Sequence, residues 1–197
     1  MRRTSVGAVG PPRVDGCPPR RVARRPPAPP SNTPPSRQER NIHVRYLDRH
    51  RELMGAADAI IFGTPTYMGT ASGAFHAFAE ASSKRWMTRA WSDKLAAGFT
   101  NSGSMSGDKL HTLQYLSLLA AQHGMLWVSL NLLPGWNTTT SSPQDDNRLG
   151  FYLGAGAQSF NDTPAVHDAD LNTARHLGRR VAEHTRIHRA GLTAATH

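Results

Sequence analysis

From residue 58 onward, apolar positions alternate between short β-like runs and stretches at helical spacing. Ala59-Ile60-Ile61-Phe62 is a run of β-formers that ends in Gly63-Thr64-Pro65-Thr66-Tyr67-Met68-Gly69. It predicts a buried strand over 58–63 whose end carries a shaped loop. Ser72–Ser82 predicts a helix, with Phe75, Phe78 and Ala79 on one face and Ser72 as its N-cap. Lys94–Thr100 predicts a second short strand, and Asn101–Gly107 a Ser/Gly loop. Lys109–His123 predicts a helix, with Leu113, Leu116, Leu119 and Ala120 at helical spacing and Gly124 as its stop. Met125–Leu130 predicts a third strand. The stretch 132–152 is irregular and rich in Pro, Gly, Asn, Thr and Ser, a length that marks functional or mobile loops. A last helix starts at Asp168 or Asp170 and runs to about His184, with Arg175, His176, Arg179 and Arg180 toward water and 186–197 a disordered tail. Upstream, Asn41–Leu47 reads as a short strand and Asp48–Ala57 as a helix. Strand, loop and helix recurring in this order imply parallel strands with crossover helices, so an α/β domain over 41–185.

The first forty residues break this pattern. They hold ten of the fourteen prolines and few apolar positions, and predict a disordered Pro/Arg-rich segment over 1–40. They also change the meaning of the net charge of +9. Nine Arg stand there against Asp15 and Glu39, which accounts for +7 and leaves +2 for the other 157 residues. The high charge therefore describes the tail, and no specific nucleic-acid partner is implied for the folded body. A lone Cys17 excludes a disulfide framework and a Cys-based metal cluster. No apolar run has the length of a membrane span, and no apolar stretch follows the Arg-rich start as in a secretory signal, so the expectation is a cytoplasmic protein that does not enter a membrane.

The chemistry is expected in two loops that leave consecutive strands at their C-terminal ends, Thr64–Thr70 and Thr100–Gly107. Ligands of open α/β sheets bind at that edge. Both loops offer hydroxyls and backbone N–H groups, and neither supplies a catalytic acid or base. A nucleophile elbow of the G-x-S-x-G type, an H-E-x-x-H zinc motif and an EF-hand loop are all missing. Most of the ten His lie in tails or on exposed helix faces, so no metal is expected. Small-residue loops suit a planar cofactor with a polar edge, whose faces Tyr67, Met68 and Trp86 would cover. On the residues alone, an ordinary strand-to-helix connection serves equally well.

Several motifs in order move that balance. Ile60-Ile61-Phe62-Gly63-Thr64-Pro65-Thr66-Tyr67-Met68-Gly69 resembles the second flavin loop of the flavodoxin-like NAD(P)H:quinone oxidoreductases of the WrbA type, which reads roughly I-x-F-G-[ST]-P-T-[RY]-[FM]-G. Phe99-Thr100-Asn101-Ser102-Gly103-Ser104 is similar to its third flavin loop, and Gln122-His123-Gly124-Met125 to its H-G-M before the fifth strand. The resemblance covers about Ala57 to Glu183. It implies a flavodoxin-like doubly wound parallel sheet of order 2-1-3-4-5, FMN as cofactor, NAD(P)H as co-substrate, a quinone or other small electron acceptor, and a homodimer or homotetramer. Carried over by position, Pro65, Thr66, Tyr67, Met68 and Gly69 wrap the ribityl chain and ring. Thr100, Asn101, Ser102, Gly103 and Ser104 bond the pyrimidine edge through backbone groups. Trp86 falls where the family places an aromatic beside the flavin, or else in ordinary core. His123 falls near the pyrimidine side as a catalytic residue, or else serves as a helix-terminal histidine. Asp145, Asp146, Asn147 and Arg148 border the nicotinamide or a neighbouring subunit, with a solvated surface the plainer reading for each.

The sequence departs from the family at its start. The family opens with a strand and a phosphate loop of the form S-x-[TY]-G-[HN]-T, and neither is found here. The Arg/Pro/Ala/Gly composition of 1–40 is what an out-of-frame reading of GC-rich DNA produces. The expectation is a sheet missing its first strand, with the family frame resuming near 41–57. Alternatives to the quinone reductase are a flavodoxin-type electron carrier, and a truncated or frameshifted member with impaired flavin binding and no activity. Carriers are usually acidic and this body is not, which favours the enzyme.

Overall fold

The computed structural model describes residues 52–195. The expectations for 1–40, for a strand over 41–47 and for a missing first strand lie outside those residues. Residues 52–56 are helical, which is the described part of the helix expected over 48–57. Five strands follow, β1 (Ala59–Tyr67), β2 (Thr70–Ala71), β3 (Leu95–Ser102), β4 (Leu126–Trp127) and β5 (Ala155–Gln158). The helices are α1 (Gly73–Ala81), α2 (Ser83–Met87), α3 (Lys109–Gln122) and α4 (Asp168–Ala195).

β1 and β3 run parallel from Ala59↔Leu95 to Pro65↔Asn101. β2 folds back antiparallel on the end of β1. On its other side β3 carries two short parallel strands end to end: β4 against Leu95 and Ala96, then β5 against Phe99 to Ser102. One lane of the sheet is thus split, and residues 128–154 leave and re-enter it. The neck of this excursion is closed by Leu130 N–H donating to Tyr152 O at 2.9 Å and by Trp127 Nε1 donating to Leu153 O at 2.9 Å.

Side chains alternate across the sheet as strand geometry requires. Ile60, Phe62 and Ala96 face α3 and pack with Leu116, Ala120, Trp91 and Met125, while Phe75 and Phe78 of α1 lie against them. Leu95, Ala97 and Ala155 face the other way, onto Leu177 and Val181 of α4. Helices therefore cover both faces, giving the flavodoxin-like α/β architecture that the pattern predicted.

The local signals at helix ends act as expected. Ser72 caps α1 by accepting from Phe75 N–H at 3.3 Å. Gly124, at φ +73°, takes the left-handed conformation that ends α3 at little steric cost.

Three expectations need correction. β1 runs on through Pro65, Thr66 and Tyr67, because the ladder with β3 continues to Asn101 and the turn is delayed to Met68 (φ 50°) and Gly69 (φ 86°). The third strand shrinks to Leu126–Trp127, because the chain leaves the lane at once and β5 fills the rest of it. The last helix does not stop near His184 and leave a disordered tail. It continues to Ala195 because its late turns are tied to the start of the sheet: His188 Nε2 donates to Asp93 O and Arg189 to Asp58, both at 3.0 Å.

Candidate functional site

The C-terminal edge of β1 and β3 is held together by hydroxyls. Thr66 Oγ1 lies 2.7 Å from Thr100 Oγ1 and 2.8 Å from Thr112 Oγ1, and all three residues are buried. Because alternate strand residues share a face, Thr64 is buried beside them and accepts from Ser72 N–H at 3.1 Å. His111 Nδ1 reaches Gly69 O at 2.8 Å. The loop after β1, the end of β3 and the first turn of α3 are therefore one bonded unit. Tyr67 and Met68 stand out from it, 63% and 102% exposed. Large side chains of this kind, left bare at a sheet edge, are suited to covering a flat ligand.

The loop after β3 is turned inside out. Five consecutive carbonyls point into the protein. Ser102 O accepts from Ser159 N–H at 3.2 Å, Gly103 O from Gln158 Nε2 at 3.1 Å, Met105 O from Lys109 Nζ at 3.2 Å, Ser106 O from Lys109 N–H at 3.1 Å, and Ser104 O from Lys109 Nζ. Among the described residues, no acceptor takes the backbone N–H groups of Ser104 to Gly107. Asn101 Oδ1, at the base of the loop, is buried without a partner. Ser104, Met105 and Ser106 are exposed, so these N–H groups face solvent and stand open to a ligand, while the buried Asn101 Oδ1 is the one polar atom of this loop, among the described residues, whose missing partner calls for explanation.

Lys109 makes this possible. It is wholly buried, and its ammonium also donates to Ser102 Oγ at 2.6 Å. Burial lowers its pKa, while the Asp170 carboxylate acts in the opposite direction. Three N–H groups meet three oxygens, which is the inventory of a charged amine. Behind it lies a buried pair in which Arg148 donates through Nε and Nη2 to Asp170, each at 2.8 Å. Asp170 also accepts Gln158 N–H at 2.9 Å.

The structure brings Pro65, Thr66, Tyr67, Met68 and Gly69 beside Thr100, Asn101, Ser102, Gly103 and Ser104. Thr100 and Asn101 lie in ladders on both sides, so their backbone groups are spent within the sheet and the outward donors come from farther along the loop. Two expected residues are elsewhere. His123 caps the far end of α3, and a 14-residue helix places it about 21 Å from the loop. Trp86, half-exposed on α2, follows Ser82 at that same far end. His123 stacks against Trp91 with ring centroids 4.3 Å apart, and its Nε2 lies 2.9 Å from Ser82 Oγ. Ser82 spends its hydrogen on Ala79 O at 2.6 Å, so His123 must be the donor and Ser82 is no nucleophile. Within one protomer neither residue touches the loops.

The reading of Asn147 and Arg148 as solvated is also overturned. Both are buried, with Asn147 N–H donating to Thr173 Oγ1 at 2.7 Å. They pin the excursion to the start of α4. Asp145 and Asp146 stay exposed. Lys109, Gln158 and Thr112 escaped the sequence reading. A lysine opening a helix looks solvated, and nothing local reveals that the preceding loop closes over it.

A family model for "NADPH-dependent FMN reductase" matches residues 27–133. The chain belongs to that family. The match begins upstream of the 41–57 window where the resemblance was expected to resume. With the family come an oxidoreductase class, FMN as cofactor and NAD(P)H as electron donor. The chain is 46% identical over 133 residues to the flavodoxin FldP of Pseudomonas aeruginosa, covering 66% of this chain and 72% of that one. It is 34% identical over 126 residues to an NAD(P)H dehydrogenase (quinone) of Archaeoglobus fulgidus, covering 64% of this chain. There it spans only 58% of the relative's length. A solved flavodoxin, a WrbA-like protein from Agrobacterium tumefaciens, superposes with a TM-score of 0.57 at 48% identity, covering 72% of this chain and 74% of that one.

The residues at the sheet edge fit FMN. Its ring is planar, and its pyrimidine edge carries oxygens and nitrogens that can accept from the free N–H groups of Ser104 to Gly107. Tyr67 and Met68 offer apolar cover for a ring face. No helix among the described residues is long and apolar enough to cross a membrane.

Proposed function

We propose that this member of the FMN reductase family holds FMN between the loops that follow β1 and β3 and uses it to reduce a quinone. The row of free N–H groups over Ser104–Gly107 on the loop that follows β3, with bare Tyr67 and Met68 at the end of the adjacent β1, carries the reading. Pro65 to Gly69 would hold the ring and ribityl chain, and the loop from Asn101 onward would hold the pyrimidine edge. Bound FMN supplies two-electron transfer between NAD(P)H and the acceptor.

The protein's own part is binding and orientation. The Thr66–Thr100–Thr112 hydroxyl cluster fixes the spacing of the two loops, and Gly69 at φ 86° lets the first loop turn without a side chain in the way. No acid or base is needed at the reacting edge, since quinone protons can come from solvent. A quinone and a nicotinamide are both flat and suit the same open face in turn. On this reading Trp86 and His123 make no contact with FMN inside one protomer. A homodimer or homotetramer belongs to the proposal.

The second reading is an electron carrier, favoured by the 46% identity to the Pseudomonas flavodoxin. The experiment is anaerobic. The protein is loaded with FMN and mixed with NADPH, and flavin absorbance is followed, then benzoquinone is added. Bleaching by NADPH and recovery with benzoquinone is the expected result. A flavin that NADPH leaves oxidised while a reductase partner reduces it means a carrier.

A further inference from the structure

Lys109 occupies a position that sequence physics penalises twice. It is a cation in the first turn of a helix, at the positive end of the macrodipole, and it is wholly buried. A rule broken at a site edge, and compensated there, points to function. The compensation is the set of loop oxygens: Ser102 Oγ, Ser104 O and Met105 O. Taking these inward is what leaves the N–H groups of Ser104 to Gly107 outward. The neighbouring Arg148–Asp170 pair balances itself, so Lys109 is the surplus positive charge beneath the loop.

We propose that Lys109 is a positioning residue for the flavin: it fixes the loop after β3 with its donors outward, and its charge makes that loop favour the electron-rich, reduced cofactor over the oxidised one. This rests on the FMN reading given above. The alternative role, a purely structural tie between α3 and the loop, would alter stability and leave the redox preference unchanged.

The test uses the full chain and the variants Lys109→Met and Gln158→Leu. The second frees Gly103 O and takes one acceptor from Arg148 Nη2, which keeps Asp170, and it removes no charge. FMN and riboflavin are titrated into each protein, and the midpoint potential of the bound flavin is measured by dye equilibration. For Lys109→Met we expect oxidised FMN and riboflavin to weaken by about the same factor, roughly tenfold, through the loss of charge-assisted support for the loop. We expect the reduced forms to weaken about tenfold more, which for a two-electron couple lowers the potential by about 30 mV. Gln158→Leu should weaken both flavins by a smaller factor and leave the potential unchanged. Amide NMR of the flavin-free proteins should show shifts over 102–107 in Lys109→Met, with α1 and the far end of α3 unaltered. If Lys109→Met binds flavin with wild-type affinity or keeps the wild-type potential, the proposal is overturned while the FMN reading stands. If the unmodified chain binds neither flavin, both fall. If Lys109→Met does not fold, Lys109→Gln takes its place, with the same fall in potential expected and an unchanged potential again decisive against the proposal.

Discussion

At the far end of α3, His123 donates to Ser82, Ser82 donates to Ala79 O, and the imidazole lies on Trp91. At the near end, Lys109 binds the loop oxygens and a run of backbone donors over Ser104–Gly107 stays free of protein acceptors on the exposed side. Both ends bury a titratable side chain. The far end closes locally through Ser82 and leaves two buried side-chain atoms without a partner, His123 Nδ1 and Trp91 Nε1. The near end accumulates a surplus of donors and one surplus charge. Burial of a polar group therefore does not distinguish structure from function. What distinguishes them is whether the neighbours' open bonds can reach a ligand: those at the far end are sealed in the core, and those at the near end lie on an exposed loop. The motif-matching His123 and its neighbour Trp91 are sealed in the core within the protomer, whereas the unremarked Lys109 lies beneath an exposed loop.

The largest expected effect breaks the near end from below. Asp170 accepts two bonds from Arg148 and one from Gln158 N–H. Asp170→Ala strands a buried guanidinium and should cost about 3–5 kcal/mol of stability, read by chemical denaturation. The double variant Asp170→Ala with Arg148→Met should recover a large part of that loss, since the penalty lies in the uncompensated charge. If the double variant is no better than the single, the pair's weight is in packing.

The next prediction concerns the phosphate end of the ligand. No phosphate loop of the family's form stands in the sequence. Losing two charge-assisted phosphate bonds, each worth about 1.5–3 kcal/mol, weakens FMN by on the order of a hundredfold or more relative to a member with that loop. The ring contacts do not depend on the phosphate, so FMN and riboflavin should bind with similar affinity, measured by calorimetry. Replacing residues 1–40 with a strand and phosphate loop should recover tight binding and a preference for FMN. Nanomolar FMN with a clear preference over riboflavin in the unmodified chain would mean that another group holds the phosphate, and the Arg cluster at Arg20, Arg21, Arg24 and Arg25 would be examined first.

A smaller effect separates the two loops from each other. Thr66→Val keeps the shape of the side chain and removes the oxygen shared by Thr100 and Thr112. It should cost about 1–2 kcal/mol and weaken flavin binding, because the hydroxyl joins β1 to both β3 and α3. Equal losses in Thr66→Val and Ser82→Ala would erase the distinction between the ends, since Ser82 lies at the far one and should leave flavin binding alone.

Much of this was legible before the structure. The alternation at Ile60 and Phe62, the cap at Ser72 and the stop at Gly124 are local signals, and each acts locally. The two loops at the sheet edge followed from them. What escaped depends on residues distant in sequence. Asn147 and Arg148 sit in a polar stretch that reads as surface, and only the approach of Asp170 and Thr173 from α4 buries them. β5 gives no signal in the sequence because Ala155-Gly156-Ala157-Gln158 has no β-forming side chains, and in the outer lane it pairs with β3 alone. His123 rests on a motif and Trp86 on a family position, and both carry residue identity without saying which end of a helix faces the loops.

The smallest effect sharpens the far end. Burial lowers the pKa of His123 below 6.5, and the nearby Arg89 charge acts in the same direction. The folded protein therefore holds this imidazole neutral at a pH where the unfolded chain has begun to protonate it. Between the lowered folded value and 6.5 the unfolded state binds more protons, so stability rises with pH across that window and is lost as pH falls through it. Denaturant midpoints measured from pH 7.5 down to 5 should fall, and His123→Gln, which keeps a donor for Ser82, should flatten that part of the curve. Flavin affinity should be the same in the variant at pH 7.5 wherever the protomer alone makes the site. If His123→Gln leaves the pH profile untouched and instead lowers flavin affinity, the far end of one protomer reaches the near end of another, and the contrast between the two ends holds only for the isolated chain.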